Sequence, residues 1–349
     1  MTELSTQKTP VALCAYSMPH LMGYLPTQAG ERIAEPLTPL GLMDAAQERG
    51  LTGVEFPLAA RVPSFDGAVV EVASFAGDLR AELAKRELDL IADYGAILDN
   101  PAQHLRDYLS LAAEMGAKVV RATLSHILCG DRRGLTGGWE AYLEALAQRL
   151  REVLPHAETL GIALAVENHQ DATSDDLLRL HAMSGESPAY GITLDAGNPL
   201  SVGEDPVEFA QRIAPLIRHA HLKDYTIHFA PEGYRLVRCA AGDGVVDFPA
   251  ILDILKGNGH TILPAIEIAA QATRTIPLLE ADWWACYPPT PSTRLIPALQ
   301  ILWAKGRPSE EPYSSAWERG DGSEAVAAEE WDCVRRSAAY FQSLAAGAP

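Results

Sequence analysis

Residues 161–198 read GIALAVENHQDATSDDLLRLHAMSGESPAYGITLDAGN, and the reading of this stretch decides the fold. Two short apolar runs, Ala163–Glu167 and Gly191–Asp195, each end in a carboxylate. Continuous rather than alternating apolar character fits strands buried on both faces of a parallel sheet. Between them Asp175–Met183 carries a helical pattern, preceded by Thr173-Ser174 and followed by Gly185. A small polar residue caps the first free N–H groups of a helix, and glycine takes the left-handed backbone at its end without steric cost. The stretch is therefore a strand–helix–strand unit with an acidic residue at each strand's C-terminal end.

The same unit recurs outward in both directions. Strands are expected at Val11–Tyr16, Gly53–Pro57, Asp89–Tyr94, Lys118–Leu124, His219–Lys223 and Ile262–Ile268 as well. Helices are expected at Leu40–Arg49, Leu105–Met115, Gly138–Leu160, Pro206–Ile217 and Pro249–Lys256, the last stopping at Gly257. Eight alternating units predict an α/β protein of the (β/α)8 TIM-barrel class. An open doubly wound sheet is the rival. It would want a glycine-rich phosphate turn after its first strand, where this chain has Ser17-Met18-Pro19-His20-Leu21-Met22-Gly23.

Trp331, Val334, Ala338, Phe341 and Leu344 share one helical face, so Glu324–Leu344 is expected to be the last helix. That leaves residues 271–322 as a long insertion after the eighth strand, on the catalytic face. It carries Trp283, Trp284, Tyr287 and a helix-like run from Leu295 to Trp303. A second insertion, 225–244, reads as a hairpin turning at Pro231-Glu232-Gly233. The whole, 1–349, reads as one barrel domain: core 10–270, insertion 271–322 and last helix 323–345.

Composition narrows the function classes. The chain has 349 residues, 48% of them apolar, which is enough to build a large core and rules out a disordered chain. Its 28 Lys and Arg stand against 46 Asp and Glu, a formal net charge of −18. Phosphate contacts need cations, so no nucleic-acid partner is expected. Five dispersed cysteines form no C-x-x-C pair, which argues against a zinc ribbon or a disulfide framework and for a reducing compartment. Residues 1–10, MTELSTQKTP, do not read as a secretory leader, and no apolar run is long enough to span a membrane. A cytoplasmic enzyme with no membrane partner is the expectation, with homo-oligomerisation left open.

In a (β/α)8 barrel the C-terminal strand ends converge on one pocket. Here those ends carry Glu55, Asp93, Glu167, Asp195, His221 and Glu267. Glu167, Asp195, His221 and Glu267 together suit a hard or borderline divalent cation, and three converging carboxylates repel one another without one. The bland reading, carboxylates that cap helices or bond substrate, stays open on spacing alone. Lys223 points to the same face as His221, as a partner for a substrate oxygen or as a rim ion pair. His126 and His169 read as substrate ligands or as loop histidines bonded to backbone. Glu55 reads as a substrate contact or a rim salt bridge. Trp283 reads as an apolar wall for substrate or as insertion core. Arg132-Arg133 reads as an anion contact or a solvated pair.

Four motifs then carry a resemblance. They are Val166-Glu167-Asn168-His169, Leu194-Asp195-Ala196-Gly197-Asn198, His219-Ala220-His221-Leu222-Lys223-Asp224 and Ile266-Glu267-Ile268. Ala241-Gly242-Asp243-Gly244-Val245-Val246-Asp247 adds a Gly-x-Gly turn. Over residues 10–270 the chain resembles the xylose-isomerase-like TIM barrels, the sugar isomerase and epimerase superfamily that also contains endonuclease IV. The resemblance implies one divalent ion, Mn²⁺ or else Mg²⁺ or Co²⁺, held by Glu167, Asp195, His221 and Glu267. It implies Glu167 and Glu267 as acid and base on opposite faces of a small carbohydrate substrate. The reaction it implies is isomerisation or epimerisation of a keto sugar or polyol, by proton abstraction next to a carbonyl through a metal-stabilised enediolate. The alternative within the superfamily is a metal-dependent lyase, either an inosose-type dehydratase or a 3-keto-glycoside deglycosidase. The extra histidines of endonuclease-IV-type sites are missing: the third strand ends Asp93-Tyr94, and Asn198 stands where a histidine often follows the aspartate.

Overall fold

A computed structural model describes residues 8–59, 61–63, 68–71, 79–268, 272–310 and 313–347. Position 271, where the insertion was expected to begin, and positions 311–312 within it lie outside the described residues.

In chain order the elements are β1 (Thr9–Cys14), α1 (Pro39–Glu48), β2 (Leu51–Phe56), β3 (Arg61–Pro63), β4 (Val69–Glu71), α2 (Leu79–Arg86), β5 (Asp89–Ala96) and α3 (Ala102–Met115). Then come β6 (Val119–Thr123), α4 (Gly138–Leu160), β7 (Ala163–Glu167), α5 (Ser174–Met183), β8 (Tyr190–Asp195), α6 (Pro206–Ile213) and β9 (Ile217–Leu222). The chain continues with β10 (Asp224–Ala230), β11 (Gly233–Cys239), α7 (Phe248–Gly257), β12 (Pro264–Ile266), β13 (Arg274–Ile276), α8 (Ala281–Trp284), α9 (Ser292–Lys305) and α10 (Ser323–Ala345).

Eight parallel strands close a barrel in the order β1-β12-β9-β8-β7-β6-β5-β2. Register aligns the strand ends that matter: Glu167 lies beside Thr193, Asp195 beside His221, and Cys14 beside Glu55. The opening stretch folds as read. Thr173 and Asp176 form a reciprocal cap on α5, and Gly161 ends α4 in left-handed backbone at φ 66°. Gly257 is a correction. It stays inside α7, and Gly259 supplies the left-handed turn at φ 84°. The hairpin β3–β4 and helix α2 between the second and third barrel strands carry no expectation from the sequence. Helix α2 is short and polar, so it leaves a weak periodic signal.

Helix α10 packs against β1 and β12 and completes the helical ring. Its buried Glu330 accepts from the backbone N–H groups of His20 and Leu21, both at 2.9 Å, and so fixes the turn after β1. Among the described residues no helix is long and apolar enough to cross a membrane.

The two insertions are one structure. Strand β13 pairs antiparallel with β11 of the hairpin, giving a three-stranded sheet β10-β11-β13. Tyr225, Leu236, Ile276, Trp283 and Tyr287 form a second apolar core beneath it. Trp283 is fully buried, and its indole N–H donates to the Cys129 carbonyl at 3.2 Å. Tyr287 donates to Gly130 O at 2.7 Å. Gly130 is at φ 62°, and a Cβ there would sit 2.6 Å from the Trp283 ring, so this docking needs glycine. The insertion therefore packs on the loop after β6, at the catalytic end of the barrel.

The expectation that Trp283 walls the substrate is corrected, because its ring belongs to this core. Arg132 is likewise structural: buried, paired with Asp176 at 2.6 Å, its guanidinium 4.0 Å from the ring centroids of both Trp139 and Tyr287. Arg133 is on the surface with Asp131, Glu280 and Asp282. Trp283→Ala is expected to destabilise the fold by about 3–5 kcal/mol through the cavity it leaves. Thermal unfolding checks this, and metal affinity should stay near wild type.

Candidate metal centre

Glu167, Asp195 and His221 each have one side-chain atom fixed by a hydrogen bond from or to the surrounding barrel. Asp195 Oδ1 accepts from the backbone N–H groups of Gly197 and Asn198, both at 3.0 Å. Asn168 donates to Asp195 O at 3.0 Å and accepts from Asp195 N at 2.7 Å, locking the ends of β7 and β8 together. Glu167 Oε2 accepts from Arg121, which also donates to Asp93 Oδ1 at 2.7 Å. His221 Nε2 donates to Glu55 at 2.9 Å.

The atoms left over are Glu167 Oε1, Asp195 Oδ2, His221 Nδ1 and Glu267 Oε2. All four are buried; Glu167 Oε1 and His221 Nδ1 lie 3.4 Å apart, and the Lys223 ammonium contacts Asp195 Oδ2 and Glu267 Oε2. Glu167, Asp195 and His221 place their ligand atoms within 4.8 Å of one another. Glu267 lies just past β12 and is tied to this group through Lys223, whose ammonium contacts both Glu267 Oε2 and Asp195 Oδ2, the latter at 2.7 Å. Those contacts have ion-pair distance without hydrogen-bond alignment.

Buried polar atoms are almost always satisfied, and Glu167, Asp195 and His221 bring ligand-type atoms close enough together that they could hold a cation. The carboxylates of Glu55, Asp93, Glu167, Asp195 and Glu267 also outnumber the fixed cations Arg121 and Lys223 there. The donor set, three carboxylates and one imidazole, fits a hard or borderline divalent ion.

The charges on the floor follow from burial and partners. Burial pushes Glu167 up, but Arg121 and the neighbouring histidines outweigh it and hold the carboxyl well below the usual range. Burial likewise opposes Lys223 in setting Glu267, and Lys223 wins, keeping Glu267 low. Asp195 is pushed up to about 6, by burial first and by the neighbouring Glu267 and Glu167, with Lys223 opposing. Asp93 rises to about 7, chiefly by burial against the pull of Arg121. Burial also lowers His169 to about 4, so at neutral pH it is an uncharged imidazole.

A cavity of about 760 Å³ opens above this floor. His169, Lys223, Glu267, Arg121 and Asp93 line its base, and Tyr16, Tyr94 and Tyr108 give it an aromatic wall. That wall comes from β5, α3 and the turn after β1, where the sequence reading had looked to Trp283. His169 faces the cavity with a buried Nδ1 that has no partner. His126 stands at the rim, its side chain 77% exposed, 2.9 Å from Asp99.

Glu55 does not face the cavity. It lies beneath His221 and bonds both His221 and His219, the second at 3.0 Å. Burial opposes ionisation of Glu55, but the two imidazoles outweigh it and keep its carboxyl below the usual range. By accepting from Nε2 it fixes the His221 ring with Nδ1 turned toward Glu167 Oε1, 3.4 Å away. The substrate contact expected of Glu55 is thus corrected to a positioning role. Replacing Glu55 with Gln or Ala is expected to weaken metal affinity by about 10- to 100-fold. Competition against a chelating dye measures it, and an unchanged affinity would remove that role.

Sequence reasoning passed over Arg121 as a functional residue. The one signal was an arginine inside the otherwise apolar β6 run Val119–Thr123. The motif Gly242-Asp243-Gly244 acquires a reason as well. Its turn wraps the Asp224 carboxylate, which accepts from Tyr225, Gly242, Gly244 and Val246 N–H groups at 2.9–3.0 Å. A Cβ on Gly244 would collide with that carboxylate at 2.2 Å.

A closed parallel barrel with strand-end carboxylates around one floor defines a (β/α)8 enzyme-type scaffold, and the family follows. The family model for the xylose isomerase-like TIM barrel matches residues 43–279, more than half of the chain, and the chain belongs to that family. It is 26% identical over 249 residues to a 3-oxo-isoapionate decarboxylase of Pectobacterium atrosepticum, covering 69% of this chain and 81% of that protein. It is 29% identical over 175 residues to an inosose dehydratase of Clostridium beijerinckii, covering 44% of this chain and 57% of that one. Among solved structures, a sugar phosphate isomerase/epimerase from Parabacteroides distasonis aligns over 98% of both chains at TM-score 0.57 and 12% identity. A xylose isomerase-like barrel from Mycobacterium smegmatis in complex with magnesium aligns at TM-score 0.54 and 18% identity, over 86% of this chain and 99% of that one. These structural likenesses carry the fold alone. The similar proteins are enzymes of an isomerase, epimerase, dehydratase and decarboxylase superfamily.

Proposed function

We propose that this chain is a divalent-metal-dependent isomerase or epimerase of a small keto sugar or related polyol. The observation that carries the reading is that Glu167, Asp195 and His221 bring ligand-type atoms within 4.8 Å of one another, with Glu267, tied to Asp195 through Lys223, lining the cavity beside them. One ion, Mn²⁺ or else Mg²⁺ or Co²⁺, would be held by these four residues. When bound it supplies Lewis acidity to a carbonyl and its neighbouring hydroxyl, which acidifies the C–H between them.

The chain's own residues supply the rest. Glu167 and Glu267 would act as the acid–base pair: the ionised one removes the C–H proton on one face, and the other, entering that turnover with a proton taken from solvent, delivers that proton to the opposite face. Arg121 keeps the Glu167 carboxylate aimed. The ammonium of Lys223 stands beside Glu267, where a substrate oxygen gains negative charge. His169, neutral and facing the cavity, offers a hydrogen bond to a hydroxyl. The tyrosine wall excludes water and covers a sugar's apolar face. The net charge of −18 supports a small-molecule substrate over a nucleic acid.

A second reading has its own support. The relatives at 26% and 29% identity are a decarboxylase and a dehydratase, which makes a lyase of the same site the alternative. Incubating the Mn²⁺-loaded protein in D₂O with keto sugars, inososes and 3-keto glycosides separates the two. Deuterium uptake with the carbon skeleton and substituents intact supports the isomerase. Release of water, an aglycone or CO₂ transfers the assignment to the lyase.

A further inference from the structure

The cavity has a second charged region that neither the metal ligands nor the acid–base pair uses. Arg238 on β11 and Arg274 on β13 both line it. Leu236 pairs with Arg274 across the strands, so Arg238, two residues on, is the diagonal neighbour of Arg274 on the same face. Further along, that face carries Tyr234 and Ile276 and is apolar. It turns cationic only where it reaches the cavity.

Both guanidinium groups lack a counter-ion among the described residues. Arg238 is 7% exposed, and its one hydrogen bond among the described residues is a donation to Ala272 O at 3.3 Å. The Nε atoms of Arg238 and Arg274 are buried and unpartnered. The carboxylate whose field reaches Arg274 is Glu318, and Glu318 is committed to Thr273 and the Ser315 N–H. Burial, and then the charge of Arg238, lower Arg274 to about 10.

Two adjacent like charges, one buried and one partly buried, with no counter-ion among the described residues, are costly, and folded proteins otherwise pair or hydrate them. The arrangement makes sense as half of a site whose other half is an anion. Guanidinium groups present forked donors that match a carboxylate or a phosphate.

We propose that Arg238 and Arg274 form an oxyanion subsite that holds a terminal carboxylate or phosphate of the substrate. The substrate class is then a keto-sugar acid or a sugar phosphate, its anionic end on the three-stranded sheet and its reactive carbon over the barrel floor. That the ligand is the substrate rests on the function proposed above; the anion site itself does not.

Calorimetric titration of the full-length protein with D-gluconate, D-glucitol 6-phosphate and neutral D-glucitol tests this. The wild-type protein is expected to bind at least one anion about tenfold or more tightly than glucitol. The tighter of the two anions identifies carboxylate or phosphate. Arg238→Gln and Arg274→Gln should each bring anion and polyol toward parity, with glucitol affinity and metal content unchanged. Arg238→Lys should keep part of the preference. Repeating the titration on metal-stripped protein removes direct coordination of the anion by the ion as a cause. Parity in the wild type, a comparison that needs no variant, overturns the subsite. A preference that survives in both Gln variants overturns it equally. Parity combined with intact metal-dependent turnover would sink the subsite alone. An anion preference in a protein that turns over without metal would sink the proposed function alone.

Discussion

Asp195→Ala is expected to empty the metal centre and lower turnover by about 10³-fold or more, because the Lewis-acid contribution is worth several kcal/mol and each ~1.4 kcal/mol is tenfold. Asp195 is the ligand with the least freedom to be replaced. Its Oδ1 is fixed by two backbone N–H groups, so its Oδ2 is aimed without entropic cost at the moment of binding. Elemental analysis should show bound metal fall from about one ion per chain to a trace. The circular dichroism spectrum should not change, since the side chain lies at the strand ends, beyond the packed layers of the barrel. Exhaustive chelation of the wild type should do the same, with recovery on adding Mn²⁺ or Co²⁺. Full turnover in a rigorously metal-free preparation would refute the metal centre.

Glu167→Gln and Glu267→Gln should each slow exchange of the substrate C–H with D₂O by about 10²–10⁴-fold, the usual contribution of a positioned acid or base. The change is nearly isosteric, but its two instances differ. Glu167→Gln also breaks the ion pair with Arg121 and leaves that buried guanidinium with Asp93 alone. Glu267→Gln leaves Lys223 with Asp195 alone. Metal content must therefore be measured on each variant. A fully metallated Gln variant that exchanges the proton at the wild-type rate would show that its glutamate is not the base.

Much of this site was legible one motif at a time. Glu167, Asp195, His221 and Glu267 each close an apolar strand, and a parallel barrel sends all such ends to one face. The reading went wrong where a side chain's partner lies far along the chain. Glu55, which ends a strand like the others, reads from sequence as a substrate contact or a rim salt bridge. Only the closed barrel shows it 166 residues away from, and hydrogen-bonded to, His221. Trp283 reads from sequence as a substrate wall or as insertion core, and the fold decides for the core. Its burial depends on Gly130 and on the hairpin strands, none of which its own neighbourhood announces.

Taken by itself, the sequence determined the alternation of strands and helices, the helix ends at Gly116, Gly161 and Gly185, the hairpin at Pro231-Glu232-Gly233, and the residue types gathered on the catalytic face. These are local matters: periodicity, caps and φ preferences act over a few residues, so they survive being read in one dimension. Tertiary structure alone decided which oxygens of Glu167 and Asp195 are held by Arg121 and by backbone N–H groups, and that Arg121 braces Glu167 across 46 residues. It alone joined β13 to the hairpin and so set Arg238 beside Arg274. Those outcomes turn on strand register and on the low dielectric of a shared interior, where a charge's meaning depends on neighbours that the chain brings together only by closing the barrel.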